Sequence, residues 1–235
     1  KQDPKNIDAL YNHGIALNQL KKYQDAITCF DKVLEIDPKY IAAINNRGIS
    51  LAELGNTDDA LKYYNKAIEI DPKYAAAHYN KGVLYDKLLQ HEEAIQSLDE
   101  ALKCDSGNVN TAFYRGIVLG KMKKHEEALN CFENICRKHP KHMDALFHKG
   151  MELAEIGKHD KALVIFGGLL QMHEGNVNVI YAMARSHAAT ANTDRALYLL
   201  EQAVKKDRKT IKKWAIEDEF FDSLQDEPKF RKLMK

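Results

Sequence analysis

Residues 7–40 read IDALYNHGIALNQLKKYQDAITCFDKVLEIDPKY, and residues 41–74 read IAAINNRGISLAELGNTDDALKYYNKAIEIDPKY. The second segment repeats the first at a distance of 34 residues. Gly14 answers Gly48, Ala26 answers Ala60, and both segments close on Asp-Pro-Lys-Tyr, at Asp37–Tyr40 and Asp71–Tyr74. The grid continues through Gly82, Gly116 and Gly150 and through Ala94, Ala128, Ala162 and Ala196. A period of this length defines a solenoid, in which each unit contacts mainly its neighbours and the core grows lengthwise.

A glycine inside a helix costs about 1 kcal/mol relative to alanine, so five of them in register require a gain at each place. Close approach of neighbouring helices supplies it. Pro4, Pro38, Pro72 and Pro140 fall on the same grid, and each marks a break, since proline lacks an N–H and pushes its predecessor out of the helical region. At 106 and 174 the grid carries Ser106 and Glu174, each followed by glycine, Gly107 and Gly175. These glycines are expected to supply the stop through a left-handed cap.

Within 7–40, Leu10, Gly14 and Leu17 form one helical stripe and Ala26, Phe30 and Val33 a second. Two antiparallel helices per unit follow. Helix A is expected at 7–20, 41–54, 75–88, 109–122, 143–156 and 177–190, and helix B at 23–36, 57–70, 91–104, 125–138, 159–172 and 193–206. Small residues let A and B cross closely beside a filling side chain, as in Gly14/Ala26/Phe30, Gly48/Ala60/Tyr64, Gly82/Ala94/Leu98, Gly116/Ala128/Phe132 and Gly150/Ala162/Phe166. The predicted division is 1–6, the end of a preceding repeat or a linker; six units over 7–206 (7–40, 41–74, 75–108, 109–142, 143–176 and 177–206); and capping helices over 207–235. Because the chain starts at Lys1 and Asp3-Pro4 reads as the end of an earlier unit, the sequence is expected to be cut from something longer.

This pattern resembles the tetratricopeptide repeats, whose 34-residue unit carries a large apolar residue, glycine, alanine, an aromatic, alanine and proline at fixed offsets. The resemblance covers residues 7–206. It implies an all-α, right-handed superhelix of helix pairs with helix A lining a concave face, and a protein-binding role. The chain departs from the pattern just before the glycine, where the family has leucine and this sequence has His13, Arg47, Lys81, Arg115 and Lys149. Their aliphatic stems are expected to pack while the charges snorkel outward. The sixth unit has Ala184 in place of glycine, and Trp214, Phe220, Phe221, Leu224, Phe230 and Leu233 beyond it read as the apolar face of a cap.

With helix A lining the groove, its inward residues are read by offset. Asn12, Asn46 and Asn80 form a ladder of amides able to pair with the backbone of an extended peptide, followed at the same offset by Tyr114, His148 and Ala182. Beside it run an apolar row, Ile15, Ile49, Val83, Ile117 and Met151, and a largely aromatic one, Tyr11, Asn45, Tyr79, Phe113, Phe147 and Tyr181. The groove-edge charges Asp8, Glu53, Asp86, Lys87, Lys121, Asp144, Glu155 and Arg185 are of mixed sign. The candidate peptide-binding residues are therefore Tyr11, Asn12, Ile15, Asn45, Asn46, Ile49, Tyr79, Asn80, Val83, Lys87, Phe113, Ile117, Lys121, Phe147 and Met151. Some members of the family clamp the terminal carboxylate of chaperones with lysine, asparagine and arginine. Tyr11, Ile15, Asn45 and Ile49 stand at those places here, so chaperone-tail binding is not expected.

Composition narrows the function classes further. Lys and Arg number 35 against 34 Asp and Glu, with no polybasic segment, which disfavours nucleic acid because phosphate neutralisation carries most of that affinity. No apolar run approaches the ~20 residues of a membrane span. Cys29, Cys104, Cys131 and Cys136 lack the C-x-x-C spacing of a zinc or redox site and read as small hydrophobes in a reducing compartment. His139 and His142 flank Pro140 without a third ligand, and no nucleotide-binding or nucleophile motif is present. The expectation is a cytoplasmic, non-catalytic adaptor without cofactor or metal, binding a protein or peptide partner. The alternatives are a self-associating scaffold and an accessory region of a larger enzyme.

Overall fold

The computed structural model describes residues 6–235, so the reading of 1–6 as the end of an earlier unit lies, Asn6 apart, outside the described residues. Among these the fold is all-α, with no strand. The A helices are α1 (Ile7–Gln19), α3 (Ile41–Glu53), α5 (Ala75–Lys87), α7 (Val109–Lys121), α9 (Met143–Glu155) and α11 (Val177–Ala189). The B helices are α2 (Tyr23–Ile36), α4 (Thr57–Ile70), α6 (His91–Cys104), α8 (His125–Lys138), α10 (His159–Met172) and α12 (Thr193–Lys206). After them come α13 (Arg208–Glu217), a 3-10 segment (Glu219–Leu224) and α14 (Pro228–Met234). The B helices keep the expected limits, and each A helix stops one residue earlier than expected.

The A-to-B turn explains that early stop. Lys21, Gly55, Leu89, Lys123, Gly157 and Ala191, again 34 apart, all have positive φ, from 56° to 84°. The turn closes with Lys22 N–H on Leu17 O at 2.9 Å and Asn56 N–H on Leu51 O at 2.9 Å, the six-to-one bond of a left-handed helix cap. The B-to-A connectors use a different device. Asp37 Oδ1 accepts Lys39 N–H at 3.0 Å and Asp71 Oδ1 accepts Lys73 N–H at 2.9 Å. At the connector without proline, Asp105 Oδ1 likewise accepts Gly107 N–H at 3.2 Å. Gly107 therefore does not need the left-handed conformation expected of it, whereas Gly175 adopts it at φ 83°.

The chain divides into two compact units, Lys1–Val118 and Leu119–Lys235. In the first, Ala26, Ala60 and Ala94 are fully buried, as are Phe30 and Leu98, with Tyr64 nearly so. A β-carbon on Gly14 would stand 2.6 Å from Phe30 Cε1, on Gly48 2.7 Å from Tyr64 Cε1, and on Gly82 2.9 Å from Leu98 Cγ. The glycines thus give the helices their close crossing, and the next B residue fills the space.

The polar residues that replace the family's leucine have a periodic partner. Arg47 Nε reaches Asp31 at 2.5 Å, Lys81 Nζ donates to Asn65 Oδ1 at 2.8 Å, and Arg115 Nε reaches Asp99 at 2.6 Å. In the second unit Lys149 Nζ lies 3.3 Å from Glu133. Each pair is 16 residues apart and ties an A helix to the B helix before it. Arg47, Arg115 and Lys149 are thus ion-paired with the repeat before, Lys81 is held there by an amide, and Arg47 also lies over the Tyr63 ring at 4.2 Å.

In the second unit, Gly150 receives Phe166 as the earlier glycines receive their partners. Ala184, fully buried, takes the glycine's place on α11. Ile180, Tyr181, Leu197, Leu200 and Val204 share one core with Ile211, Ala215, Phe221, Leu224 and Phe230 from the segment after α12. Asp207 starts α13 by accepting Thr210 N–H at 3.1 Å, and Asp218 starts the 3-10 segment by accepting Phe220 N–H at 3.2 Å.

Candidate functional site

The A helices of the first unit bring Tyr11, Asn45, Asn46, Tyr79 and Asn80 into one polar and aromatic seam. Asn46 Nδ2 donates to Tyr11 Oη at 3.0 Å and to Ala42 O at 2.8 Å. Asn80 Nδ2 donates to Asn45 Oδ1 at 2.9 Å. Tyr79 meets Tyr114 edge to face at 6.0 Å. Apart from the Asn46–Ala42 bond, which lies within α3, each of these links joins residues 35 apart on consecutive A helices. The ladder is thus in part an inter-repeat seam: Asn46 and Asn80 direct amide hydrogens at neighbouring helices, and Asn12 is exposed.

Tyr11 is half-buried against Phe30 and Tyr40, with ring centroids 6.0 and 5.3 Å away. Burial, and then the neighbouring Tyr74 and Tyr40, push its phenol pKa up. Asn45 is buried. Ile15 and Ile49 are half-buried and pack on the cores around Phe30 and Tyr64. Val83, Phe113 and Ile117 are also half-buried, and Lys87 is exposed with Nζ 2.6 Å from Glu53. Beside Tyr79 opens a cavity of about 530 Å³ between the starts of α5 and α7, walled by Tyr74, Tyr79, Ala76 and Thr111 and rimmed by Asp71, Asp105 and Asn110.

Asp86, placed by its sequence position at the groove edge, is instead buried at 3 % exposure. It accepts the Tyr114 hydroxyl at 2.6 Å and faces His91 Nδ1 at 3.1 Å. Burial, followed by the bond to Asp86, raises the Tyr114 pKa strongly. A carboxylate held this way fixes the Tyr114 ring and does not meet a ligand as an edge charge.

In the second unit, Phe147 contacts His148 and Phe166 at ring distances of 5.5 and 6.0 Å, and Met151 packs on the core around Phe166. Lys121 is exposed. His148 stacks on Phe132 at 5.4 Å, and burial lowers its pKa against the opposing pull of Asp144. Glu152 is buried and bonds His125 Nδ1 at 2.8 Å, entering the space that Gly120 leaves open. Burial raises the Glu152 pKa, with His125 opposing. In the sequence Asp86 reads as a groove-edge charge and Glu152 itself carries no mark of its burial. Their signal was available in part: His91, His125 and His159 lie on the 34-residue grid at the starts of three B helices.

The two lining rows end on α11 at Tyr181 and Arg185. Arg185 bonds Glu155 at 3.0 Å and Asp218 at 2.7 Å and lies over the Phe220 ring at 4.2 Å. Tyr181 donates its hydroxyl to Asp218 at 2.7 Å. Among the described residues no group of three or more His, Cys, Asp or Glu is arranged to hold a metal ion, and no helix is long and apolar enough to cross a membrane.

Comparison with known proteins agrees with this architecture. Models of the tetratricopeptide repeat match residues 5–73, 45–109 with 115–171, and 153–215. The chain belongs to the tetratricopeptide repeat family, with about six repeats and a C-terminal capping segment. Among solved structures it is similar to YrrB, described as a tetratricopeptide protein with an unusual peptide-binding site, at 25% identity and a TM-score of 0.68 over 80% of this chain and 97% of that one. It is also similar to pilF of Pseudomonas aeruginosa (21% identity, TM-score 0.74, 90% and 97% covered). A tetratricopeptide protein of Parabacteroides merdae matches at 22% identity and a TM-score of 0.62, with 90% and 84% covered. No curated protein sequence matches. The tetratricopeptide fold is a protein–protein interaction scaffold and in general a non-catalytic one.

Proposed function

We propose that the protein is a non-catalytic, cytoplasmic adaptor whose A helices hold an extended segment of a partner protein. The observation that carries this reading is the cavity of about 530 Å³ beside Tyr79, in the first unit, on the face the sequence marks for binding. Its walls offer aromatic and small surfaces, and its rim offers hydrogen-bonding groups, the combination that anchors one side chain and orients the chain around it. YrrB, at 25% identity, supports a peptide as the ligand class. The four thiols, none in a disulfide and those of Cys29 and Cys136 raised in pKa by burial, suit a reducing compartment.

Within this reading Tyr79 lines the anchor cavity, the row Ile15, Ile49, Val83 and Ile117 offers apolar contact, and Asn12 is the amide placed for a partner's backbone. Asn46 and Asn80 act on the ligand through the oxygens of amides that each spend a hydrogen on the A helix before. The test is selection from a displayed peptide library, followed by binding to Ala76→Glu, which fills the cavity from an exposed position without touching the seam. Retention of the selected peptides by that variant at unchanged affinity would discard the cavity as the anchor.

A further inference from the structure

A second pocket, in the second unit, has a different chemistry. It encloses about 440 Å³ where the chain after α12 turns back over α11. Tyr181 and Trp214 form one wall with ring centroids 5.5 Å apart, and Phe220 forms another. Trp214 is 40% exposed, high for the largest apolar side chain. The floor already holds a cation: Arg185 lies over the Phe220 ring and is bracketed by Glu155 and Asp218. Those two carboxylates are engaged by that guanidinium. The mouth carries two more, Glu217 and Glu219, both exposed, against the ammonium of Lys123.

Four carboxylates against two cations leave the lining with a formal excess of two negative charges, and half of those carboxylates face outward. The Trp214 ring presents a negative π-face beside them. A cation entering such a pocket gains from the ring and from carboxylates at once, while an anion meets repulsion. The planar guanidinium suits this arrangement best, because it can lie on a ring and bond a carboxylate in the same pose, as Arg185 does on Phe220. We propose that this pocket binds an arginine side chain presented by a partner protein. The pocket shares no residue with the Tyr79 cavity and does not depend on it.

Trp214 is the only tryptophan of the chain, so its fluorescence reads this pocket directly. The probe is the acetylated, amidated tripeptide Gly-Arg-Gly, compared with the same peptide carrying citrulline, which keeps the shape and removes the charge. The expected result is a saturable change in Trp214 emission with the arginine peptide, weakened by salt, and at least about tenfold weaker binding of the citrulline peptide. Glu217→Gln with Glu219→Gln should weaken arginine binding by about three- to tenfold with an unchanged melting curve, since both side chains are exposed. Equal binding of the two peptides, no saturable response to the arginine peptide, or full affinity in the double variant would each overturn the assignment. None of these results bears on the Ala76→Glu test.

Discussion

A β-carbon added to Gly150 would stand 2.5 Å from Cε1 of Phe166, whose ring is fully buried. The usual sign of a glycine-to-alanine change in a helix should therefore reverse here. Gly150→Ala and Gly82→Leu are expected to overpack the crossing of helices A and B and to cost on the order of 1–3 kcal/mol. Gly167 on α10 is the internal control, because an added β-carbon there meets nothing within 4 Å. Gly167→Ala should stabilise by about 0.5–1 kcal/mol. Thermal melting of the three variants checks this, and a common sign for Gly150→Ala and Gly167→Ala would refute the packing account.

Leu89 stands at φ 61° and is 77% exposed, so it combines the left-handed conformation with a side chain that buries little. That conformation costs a branched residue about 1–2 kcal/mol. Leu89→Gly is expected to stabilise by about 0.5–1 kcal/mol after the greater freedom of the unfolded glycine is subtracted. Gly55→Ala, at φ 84° in the equivalent turn, should destabilise by about 1 kcal/mol. Urea unfolding measures both, and a destabilised Leu89→Gly would show that the leucine makes contacts that outweigh its strain.

The helical grid was legible because its constraints act on the backbone and recur. The glycine crossings recur in five units, and the Asp-Pro-Lys-Tyr connector closes the first two. The left-handed turns did not show, because only Gly55 and Gly157 among the six grid positions are glycine, and Lys21, Leu89, Lys123 and Ala191 carry no such mark. Of the candidate site, the sequence marks a helix face and no more. Offset counting puts Asn46 and Asn80 on the A-helix face, yet it cannot tell an amide aimed at a ligand from one aimed at Tyr11 or Asn45, 35 residues away. Asp86 reads as an edge charge because its partner Tyr114 lies 28 residues off in sequence, and nothing in the local pattern singles out Glu152, whose partner His125 lies 27 residues away. Arg185 reads as an edge charge, and it sinks to a pocket floor because the aperiodic segment 214–220 folds over it.

Phe221 is fully buried between Tyr181 and Phe230, with ring distances of 5.7 and 6.1 Å, in the core that closes over α11 and α12. Removing it empties the centre of the capping segment. Phe221→Ala is expected to cost about 3–5 kcal/mol. Truncation after Asp207 should expose the apolar faces of Leu197, Leu200 and Val204 and lead to association. Gel filtration and calorimetry report the two effects. A truncated chain that stays monomeric with an unchanged melting temperature would show that the sixth repeat needs no cover.

His148 gives the protein a pH dependence of known sign. Burial disfavours its imidazolium and lowers its pKa below the 6.5 of a free histidine, with Asp144 opposing in part. The unfolded chain therefore binds the proton more tightly than the folded one. The contribution of His148 is fully present above pH 6.5, and stability is lost as pH falls from there through the lowered folded value. His187, lowered by burial and by Arg195, acts in the same direction. Glu152, whose carboxyl is raised by burial, acts in the opposite one as pH rises above its ordinary 4.5. The effect of His148 is isolated by difference: His148→Phe keeps a ring between Phe132 and Phe147 and should melt with a shallower loss between pH 7 and pH 5 than the parent. Parallel melting temperatures of the two proteins across that range would show that His148 is protonated as readily folded as unfolded.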